Sequence, residues 1–422
     1  MGCYTVLYYK LYLQRNFNKH NFSLLVNMKF ISVKNNPKIY FWAKFFGSFS
    51  FIAPVIVLFM LHRGLGFSDL LIRIMFIVVA MFIFEVPTGM FADRFGPKSS
   101  FIVGQVVFSI TMILWIFAFT PQMFYLAAIL TGLGITFFSG SDESFIYESL
   151  KEVRKQKQMS KIWARITSAT FIPAIIGIII GAILGKDLIE SQFVLLILLT
   201  FGSSIINLTL LFFLKNPKTH IKSKDIHMFE HLDRGYRTIK STPALLFAFF
   251  HEILIFIPTY IFKEYSQPLF VDAGIPVPMI GLIIAIGMFI SFFLMRNLTI
   301  ITNKLGNLKA IYLSDIFILI GFVGAMLWAD NLIIVLFAFY SIKLFGLIRL
   351  PIFSQIKNDY IPSGSRATTL SLLSMIDSMF DVIILISLSK IANMGLSYIF
   401  LGCVIVVILG FISPIKLFKK RK

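Results

Sequence analysis

Long apolar segments dominate the chain and are separated by short segments that contain charges, glycine or proline. Twelve such segments have 18 or more residues, which is long enough for a helix to cross the roughly 30 Å hydrocarbon core of a membrane. We call them spans 1 to 12, and they cover approximately residues 39–62, 67–91, 99–119, 122–148, 162–185, 191–214, 242–262, 276–295, 308–328, 331–356, 367–389 and 393–415. The sequence therefore predicts an all-α membrane protein with twelve transmembrane helices.

Composition agrees with this prediction and excludes several classes of protein. The 422 residues are 58% hydrophobic and 14% charged, with a mean hydropathy of +0.86, whereas soluble domains are about 25% charged. A soluble enzyme is therefore excluded, and the absence of a Gly-Lys-Ser/Thr phosphate loop excludes an ATP-driven pump within this chain. The two cysteines, Cys3 and Cys403, lie at opposite ends of the chain and predict neither a disulfide framework nor a metal site. No cofactor is expected.

Lysine and arginine are concentrated on one side of the predicted helices. The connections between spans 2 and 3, 4 and 5, 6 and 7, 8 and 9, and 10 and 11, together with both termini, hold 30 basic residues when Lys309 at the start of span 9 is counted with them. The opposite connections hold four: Arg63, Lys186, Lys263 and Lys390. Positive residues in short loops stay in the cytoplasm. We therefore expect both termini to be cytoplasmic, and we attribute the net charge of +19 to the bilayer and not to a nucleic acid.

The longest connection, residues 215–241, predicts a linker between two six-helix bundles, residues 39–214 and 242–416. Residues 1–38 form a predicted cytoplasmic extension without a cleavable signal pattern, and residues 417–422 form a basic tail. Translation from Met28 is an alternative start, in which case residues 1–27 are dispensable.

A distinctive motif follows span 2, with Gly89, Asp93, Arg94, Gly96 and Lys98 at fixed spacing. Glycines allow close helix approach and a sharp turn, and an acid with bases at a helix junction can hold a gate by ion pairing. The segment resembles the signature of the major facilitator superfamily, which has Gly, three residues and then Asp-Arg-any-Gly-Arg-Lys between spans 2 and 3. Segments 139–150, 275–285 and 361–375 are similar to stretches common in bacterial members.

One position departs from the family motif, whereas a second copy of the motif's spacing, later in the chain, supports the family resemblance. Pro97 stands where the family has an arginine that pairs with an acid low on span 4. The resemblance implies that Glu148 is this acid and that Lys98 or Arg94 must replace the arginine. After span 8, the residues Thr299, Asn303, Lys304 and Gly306 repeat the spacing of Gly89, Asp93, Arg94 and Gly96 at an offset of 210 residues.

The resemblance implies two related six-helix halves with a small solute bound between them in the middle of the bacterial cytoplasmic membrane. It implies that spans 3, 6, 9 and 12 are peripheral and that the protein works as a monomer. Proton-coupled efflux of a drug or metabolite is the leading interpretation, because similar members are mostly exporters. Proton-coupled uptake is the first alternative. A membrane enzyme would need a cluster of polar residues at a membrane face, for which the chain offers His220, His227 and His231 only in the linker. A receptor that binds without transport is the third alternative.

Charged residues inside spans are costly and are candidates for function. All but Asp315, which lies on span 9, fall on the predicted lining spans. The set is Lys44, Arg73, Glu85, Asp142, Glu143, Glu148, Arg165, Glu252, Asp315, Lys343, Arg349, Asp377 and Asp381.

Three carboxylates are predicted to couple protons or to contact the solute. Glu252 is expected about halfway along span 7, and Asp377 and Asp381 are four residues apart on one face of span 11. Two carboxylates this close in a low dielectric cannot both ionise cheaply, so one is expected to hold a proton. The polar face continues through further residues of span 11, namely Ser371, Ser374 and Ser378.

Lys343 is predicted either to balance these acids or to contact an anionic solute. His251 is a candidate proton relay beside Glu252, with simple hydrogen bonding as the alternative.

The remaining acids gather at the linker-side ends of spans 2, 4 and 5, where we expect an inner gate. Glu85, Glu143 and Glu148 would be balanced there by Arg165, together with the motif residues after span 2. The alternative is that charges such as Glu148 and Lys44 extend to the membrane interface.

Overall fold

A computed structural model describes residues 32–218, 242–361 and 366–413, with the isolated positions 237, 239, 240 and 415. Ten helical segments in these ranges are long and apolar enough to cross a membrane, and they correspond to spans 2 to 11. The shorter apolar helices Ala53–His62 and Leu396–Ile412 occupy the positions of spans 1 and 12. The predicted all-α fold with twelve transmembrane helices is therefore confirmed. The three linker histidines, residues 1–31 and the basic tail lie outside the described residues.

In the N-terminal half, three spans are single helices and three are built from two helices each. Spans 2, 3 and 6 are Phe67–Phe95, Pro97–Phe117 and Glu190–Phe212. Spans 1, 4 and 5 are Asn36–Gly47 with Ile56–His62, Pro121–Thr136 with Ser141–Glu152, and Met159–Ser168 with Phe171–Leu184. Short 3₁₀ turns occur at Val33–Asn35, Ala53–Val55 and Gln156–Gln158.

Local sequence explains these interruptions. Pro54 lies in the 3₁₀ turn within span 1 and has no backbone N–H to continue the helix. Gly140, between the two helices of span 4, has φ +64, a left-handed conformation that glycine adopts without a Cβ penalty. Phe51 N–H, next to the interruption in span 1, donates to Thr200 Oγ1 at 3.0 Å. The side chain of a neighbouring span thus replaces a lost helical partner.

The helices of the C-terminal half differ in part from the predicted lengths: those of spans 7, 10 and 11 are longer, and that of span 12 is shorter. They are Pro243–Asp272, Val277–Arg296 followed by Leu298–Leu305, Asn307–Leu327, Leu332–Tyr360, Arg366–Ala392 and Leu396–Ile412.

The predicted end of span 7 at residue 262 was wrong. The charges Lys263 and Glu264 indicated a loop, but both lie within the helix that continues to Asp272. Glu264 stays in the helix because it is paired with Arg73 of span 2 at 2.5 Å. The prediction that Glu252 lies halfway along span 7 was also wrong, since it is the tenth of 30 residues.

The two halves repeat the same turn between their second and third helices. Gly96, between spans 2 and 3, has φ +85 and ψ 153, and Gly306, between spans 8 and 9, has φ +79 and ψ 151. Both glycines end one helix and precede the next. The repeat at an offset of 210 residues is therefore a repeat of backbone conformation as well as of sequence.

The halves meet along two helix pairs, span 2 with span 11 and span 5 with span 8. Gly281 of span 8 permits the second contact. A Cβ at Gly281 would overlap the Cβ of Ala182 and lie 3.0 Å from the carbonyl oxygen of Ile178. A glycine at this crossing therefore lets the two backbones approach closely, as is typical of helix pairs in membranes.

Several hydrogen bonds join the halves at one end of the molecule. We call the end where span 6 finishes and span 7 begins the linker end, and the opposite end the far end. At the far end, Gln267 of span 7 accepts from Val57 N–H and donates to the Ala53 carbonyl, both at 2.9 Å. Ser68 N–H donates to Asn393 Oδ1 at 3.1 Å. These contacts hold spans 1 and 2 against spans 7 and 11.

An ion pair and a large apolar cluster complete the far-end contact. Arg73 and Glu264 are both largely buried and lie 2.5 Å apart, and Tyr265 donates to the Phe67 carbonyl. The surrounding apolar cluster contains residues of both halves, including Leu70 and Leu269. The far end is therefore closed.

Gly281→Ala is expected to destabilise the protein by about 1–3 kcal/mol, because an added methyl group must push spans 5 and 8 apart. The matched control is Gly202→Ala in span 6, where a Cβ meets nothing within 4 Å and alanine favours a helix by up to about 1 kcal/mol. Thermal unfolding of both purified variants in detergent measures the difference. Equal melting temperatures would contradict close packing at Gly281.

Candidate functional site

A cavity of about 490 Å³ lies between the two halves. Spans 7, 8 and 10 supply most of its wall, and Ala53 of span 1 and Ile178 of span 5 complete it. Ala53 and Gln267 line this cavity and also form the far-end contact, so the closed end is its roof. Its wall is mostly apolar and includes Phe256, Phe262, Ile284, Met288, Phe339, Ile342, Leu347 and Leu350. Such a volume with few polar groups is typical of a site for a small organic molecule.

Two lysines line this cavity, Lys263 on span 7 and Lys343 on span 10. The ammonium of Lys263 lies 5.5 Å from the centre of the Tyr260 ring, and that of Lys343 lies 5.2 Å from the centre of the Phe339 ring. The side-chain stem of Lys343 packs over Gly287, where a Cβ would be 3.3 Å from it. Within the described part of the chain, neither lysine has an acidic partner within 4.0 Å.

A group of three carboxylates lies on spans 7 and 11. Lys357 of span 10 lies 3.0 Å from either carboxylate oxygen of Glu252. Asp377 interacts electrostatically with both of these residues and with Asp381. Asp381 is 7% exposed, and its Oδ1 atom has no hydrogen-bond partner among the described residues. We call Glu252, Asp377 and Asp381 the carboxylate group.

The structure changes the predicted partner of these acids. Lys357 balances Glu252, whereas Lys343 faces the cavity and Lys263. Sequence analysis missed Lys357 because span 10 was expected to end at residue 356, whereas its helix continues to Tyr360. Among the described residues, Lys357 pairs with Glu252 and acts on Asp377, whereas Asp381 has no basic partner within 4.0 Å. Of the three serines predicted to extend the polar face of span 11, the structure describes the side chains of Ser374 and Ser378, and that of Ser371 lies outside the described residues.

A narrow pocket lies between Glu252 of the carboxylate group and the cavity. It is lined by Glu252 and Arg349, and it shares Phe256, Thr259 and Gly346 with the cavity wall. Its volume is about 10 Å³, which is close to the space that one water molecule needs. Glu252 therefore lines a small pocket that adjoins the cavity wall.

His251 belongs to a separate buried network. Its Nε2 atom lies 2.8 Å from Asp315 Oδ2, and its Nδ1 atom lies 2.9 Å from the Ser413 carbonyl. Asp315 also pairs with Arg349, and the side chains of His251, Asp315 and Arg349 are 0%, 0% and 4% exposed. The hydrogen-bonded alternative therefore describes His251, and no contact with Glu252 supports a relay. The network also explains why a charged residue, Asp315, lies on span 9, which was expected to be peripheral: it pairs with Arg349 and His251.

The predicted gate residues are distributed differently from the expectation. Lys98 donates its ammonium to the Phe212 carbonyl at 2.6 Å and its backbone N–H to Asn216 Oδ1 at 3.0 Å. Glu148 pairs with Lys151 at 3.7 Å, and Arg94 lies 5.4 Å from the Phe95 ring. In this structure neither Lys98 nor Arg94 replaces the family arginine beside Glu148.

The base that pairs with Asp142 of span 4 is a residue of span 1. Lys44 pairs with Asp142 at 3.2 Å, whereas Arg165 is exposed and lies 5.4 Å from the Phe41 ring. Among the described residues Arg165 has no acidic partner, so the expected balance of Glu143 by Arg165 is not formed here.

Gly89 and Asp93 of the motif after span 2 lie at the linker end, together with Glu85. Glu85 accepts from Ser139 Oγ at 2.8 Å, which ties span 2 to span 4. A Cβ on Gly89 would meet nothing within 4 Å, so this conformation leaves room beside that glycine. Asp93 is exposed but engaged in an interaction.

Comparison with known proteins supports the family resemblance. The profile of the Major Facilitator Superfamily matches residues 43–383. An uncharacterized MFS-type transporter, YxaM of Bacillus subtilis (strain 168), is 28% identical over 260 residues, which are 60% of this chain and 62% of that protein. The Methylenomycin A resistance protein of the same organism is 31% identical over 96 residues, 23% of this chain and 20% of that protein. The matches thus span less than two thirds of these two relatives.

Solved structures share the fold at low sequence identity. A mutant of the nucleoside transporter NupG has a TM-score of 0.75 at 13% identity and covers 90% of this chain and 98% of its own. A D-xylose-proton symporter has a TM-score of 0.67 at 14% identity and covers 90% of this chain and 95% of its own. At these identities the likeness concerns the fold alone.

Asp315→Asn is expected to destabilise the protein by about 3–5 kcal/mol, because Arg349 then stays buried without a counter-charge. Thermal unfolding in detergent measures this loss, and Asp330→Asn in an exposed loop is the matched control. The double variant Asp315→Leu/Arg349→Met removes both charges and should recover much of the stability. A single variant as stable as the control would contradict a structural role for this network.

Proposed function

Because the chain belongs to the Major Facilitator Superfamily, we propose that it is a secondary transporter that moves a small solute across the bacterial cytoplasmic membrane in exchange for protons. One observation carries this proposal: Glu252 of the carboxylate group lines the narrow pocket, and Phe256, Thr259 and Gly346 line both that pocket and the cavity between the halves. The cavity binds the solute, and the carboxylate group binds the proton.

Transport by alternating access requires contacts between the halves that can break. The far-end contacts through Arg73, Glu264 and Gln267 are of this kind, because each joins one half to the other. In the orientation expected from the distribution of lysine and arginine, the far end faces outward. The described state is then closed to the outside, and the opposite state requires the Arg73–Glu264 pair to separate.

Proton coupling follows from the unequal charges around Glu252. Among the described residues, Lys357 is the base paired with the carboxylate group, and Arg349, which also acts on Glu252, is itself paired with Asp315. Three ionised carboxylates would therefore leave an excess of negative charge, which is costly in a low dielectric. A proton on Asp377 or Asp381 relieves that excess. Because the carboxylate group connects spans 7, 10 and 11, its protonation changes the energy of any rearrangement of these helices and shifts the population between states.

We propose efflux as the direction. The support is the match to a protein named for resistance to methylenomycin A, since an exporter can confer resistance. Proton-coupled uptake is the second candidate, and the lysines of the cavity favour it. A bound anion would make protonation of the nearby carboxylates more favourable, so solute and proton would travel in the same direction.

The variants Asp377→Asn and Asp381→Asn are each expected to abolish proton movement that depends on solute, while solute still binds. The measurement uses sealed vesicles with an internal pH dye and a panel of anionic, neutral and cationic aromatic solutes, beside Asp330→Asn as the control. If added solute makes the lumen more alkaline, protons leave as the solute enters. If it makes the lumen more acidic, protons enter together with the solute. Coupled proton movement that persists in both variants would remove span 11 from the coupling site.

Replacing Ser68 and Asn393 with cysteine is expected to lock the far end, because the Ser68 N–H and Asn393 side chain are hydrogen-bonded at 3.1 Å. Oxidation in a variant that also carries Cys3→Ser and Cys403→Ser should stop vesicle transport, and a reductant should restore it. The two single-cysteine variants serve as controls. Full transport by cross-linked protein would contradict opening at the far end.

A further inference from the structure

Among the described residues, two positive charges in the cavity have no acidic partner. Charged side chains within a membrane protein are normally paired or face water. Arg165 is exposed, and five other basic residues in or beside the spans are paired. Each has an acid within 4.0 Å: Lys44 with Asp142, Arg63 with Glu190, Arg73 with Glu264, Arg349 with Asp315 and Lys357 with Glu252. Lys263, which is exposed, and Lys343, which is half-buried, both face the cavity, and within the described residues neither has such an acid.

The positions of these two lysines make their charges additive. Both line the same cavity, and each ammonium acts electrostatically on the other. Aromatic rings of Tyr260 and Phe339 contact them, but a ring face compensates only part of a charge. The repulsion between two ammonium groups in a mostly apolar cavity favours binding of an anion.

The rest of the wall determines what this anion must look like. Hydrogen-bonding groups come from Thr259, Tyr260, Ser266 and Gln267, all on span 7 beside Lys263. The wall residues of span 8 and, apart from Lys343, of span 10 have no polar side chain; Ile284, Met288, Phe339 and Leu347 are among them. Apart from Lys343, the polar groups therefore come from span 7, which suits a molecule with one charged end and an apolar body.

We propose that the transported solute is a small organic anion, whose carboxylate or similar acidic group binds between Lys263 and Lys343 while its apolar body packs on spans 8 and 10. The proposal rests on the proposed transport through this cavity, but it does not depend on proton coupling or on direction. An anionic lipid head group presents the same chemistry, so the experiment must separate a free solute from a lipid.

Binding is the measurement that distinguishes the two proposals, since it needs no coupled transport. Purified protein in phosphatidylcholine nanodiscs is titrated with three molecules that share one body: 2-naphthoate, 2-naphthamide and 2-naphthylmethylammonium. The same series is repeated with octanoate, octanamide and octylammonium to cover a flexible body. We expect each carboxylate to bind at least about tenfold more tightly than its amide, because a charge-assisted hydrogen bond contributes about 1.5–3 kcal/mol.

Substitution of the lysines should remove this preference. Lys263→Gln and Lys343→Gln are each expected to weaken carboxylate binding about tenfold or more and to leave amide binding nearly unchanged. Lys343→Arg keeps the charge and should retain the preference for the carboxylate. Lys186→Gln, in an exposed loop at the far end, is the matched control. Circular dichroism of each variant checks that it is folded.

Each outcome decides the proposal. Equal binding of acid and amide, tighter binding of the ammonium compounds, or no binding of any carboxylate would overturn it. Loss of carboxylate binding when phosphatidylglycerol is added to the nanodiscs would assign the lysines to a lipid head group and would also overturn it. Charge-selective binding that depends on both lysines supports the proposal, even if the Asp377→Asn and Asp381→Asn variants turn out to move protons normally and proton coupling fails.

Discussion

The structure depends on one constraint: the hydrocarbon core of a membrane offers no water to a charged side chain. Every charge within a span must therefore be paired, protonated or placed at a cavity. The network of His251, Asp315 and Arg349 satisfies this constraint entirely within the C-terminal half. Because most charges are paired in this way, the ones without a partner become informative. Asp381, Lys263 and Lys343 are such residues, and all three lie at or near the cavity between the halves.

The ion pairs differ in whether they persist during a transport cycle. A pair within one half, such as Arg349 with Asp315, moves with that half and can persist throughout. The pair of Arg73 with Glu264 joins the two halves at the far end, so it must break when that end opens. The cost of two separated charges has to be met by water entering the opened end or by new partners. The transition therefore requires water or new partners to reach both Arg73 and Glu264 as they separate.

Sequence analysis predicted the twelve spans and the glycine turn at Gly96, because both depend on local properties: apolar length, and a backbone conformation that favours glycine. It could not predict the partners of the charges, which depend on how far each helix extends and how it is rotated. Lys263 shows the difference. Its charge indicated a loop, but the helix of span 7 continues through it, because its side chain lies at the cavity and is exposed there. Lys357 was missed as the partner of Glu252 because the helix of span 10 also continues past its predicted end.

Spans 7 and 10 carry both candidate sites, and this arrangement explains how the sites could communicate. Glu252 and Lys263 are on span 7, and Lys343 and Lys357 are on span 10. The pair of Glu252 with Lys357 holds the two helices together on one side of the narrow pocket, while Lys263 and Lys343 repel each other on the cavity side. An anion between the lysines would draw the same two helices together there. Protonation of the carboxylate group and occupation of the cavity would thus act on one helix pair, so each would change the energy of the other without a separate connecting element.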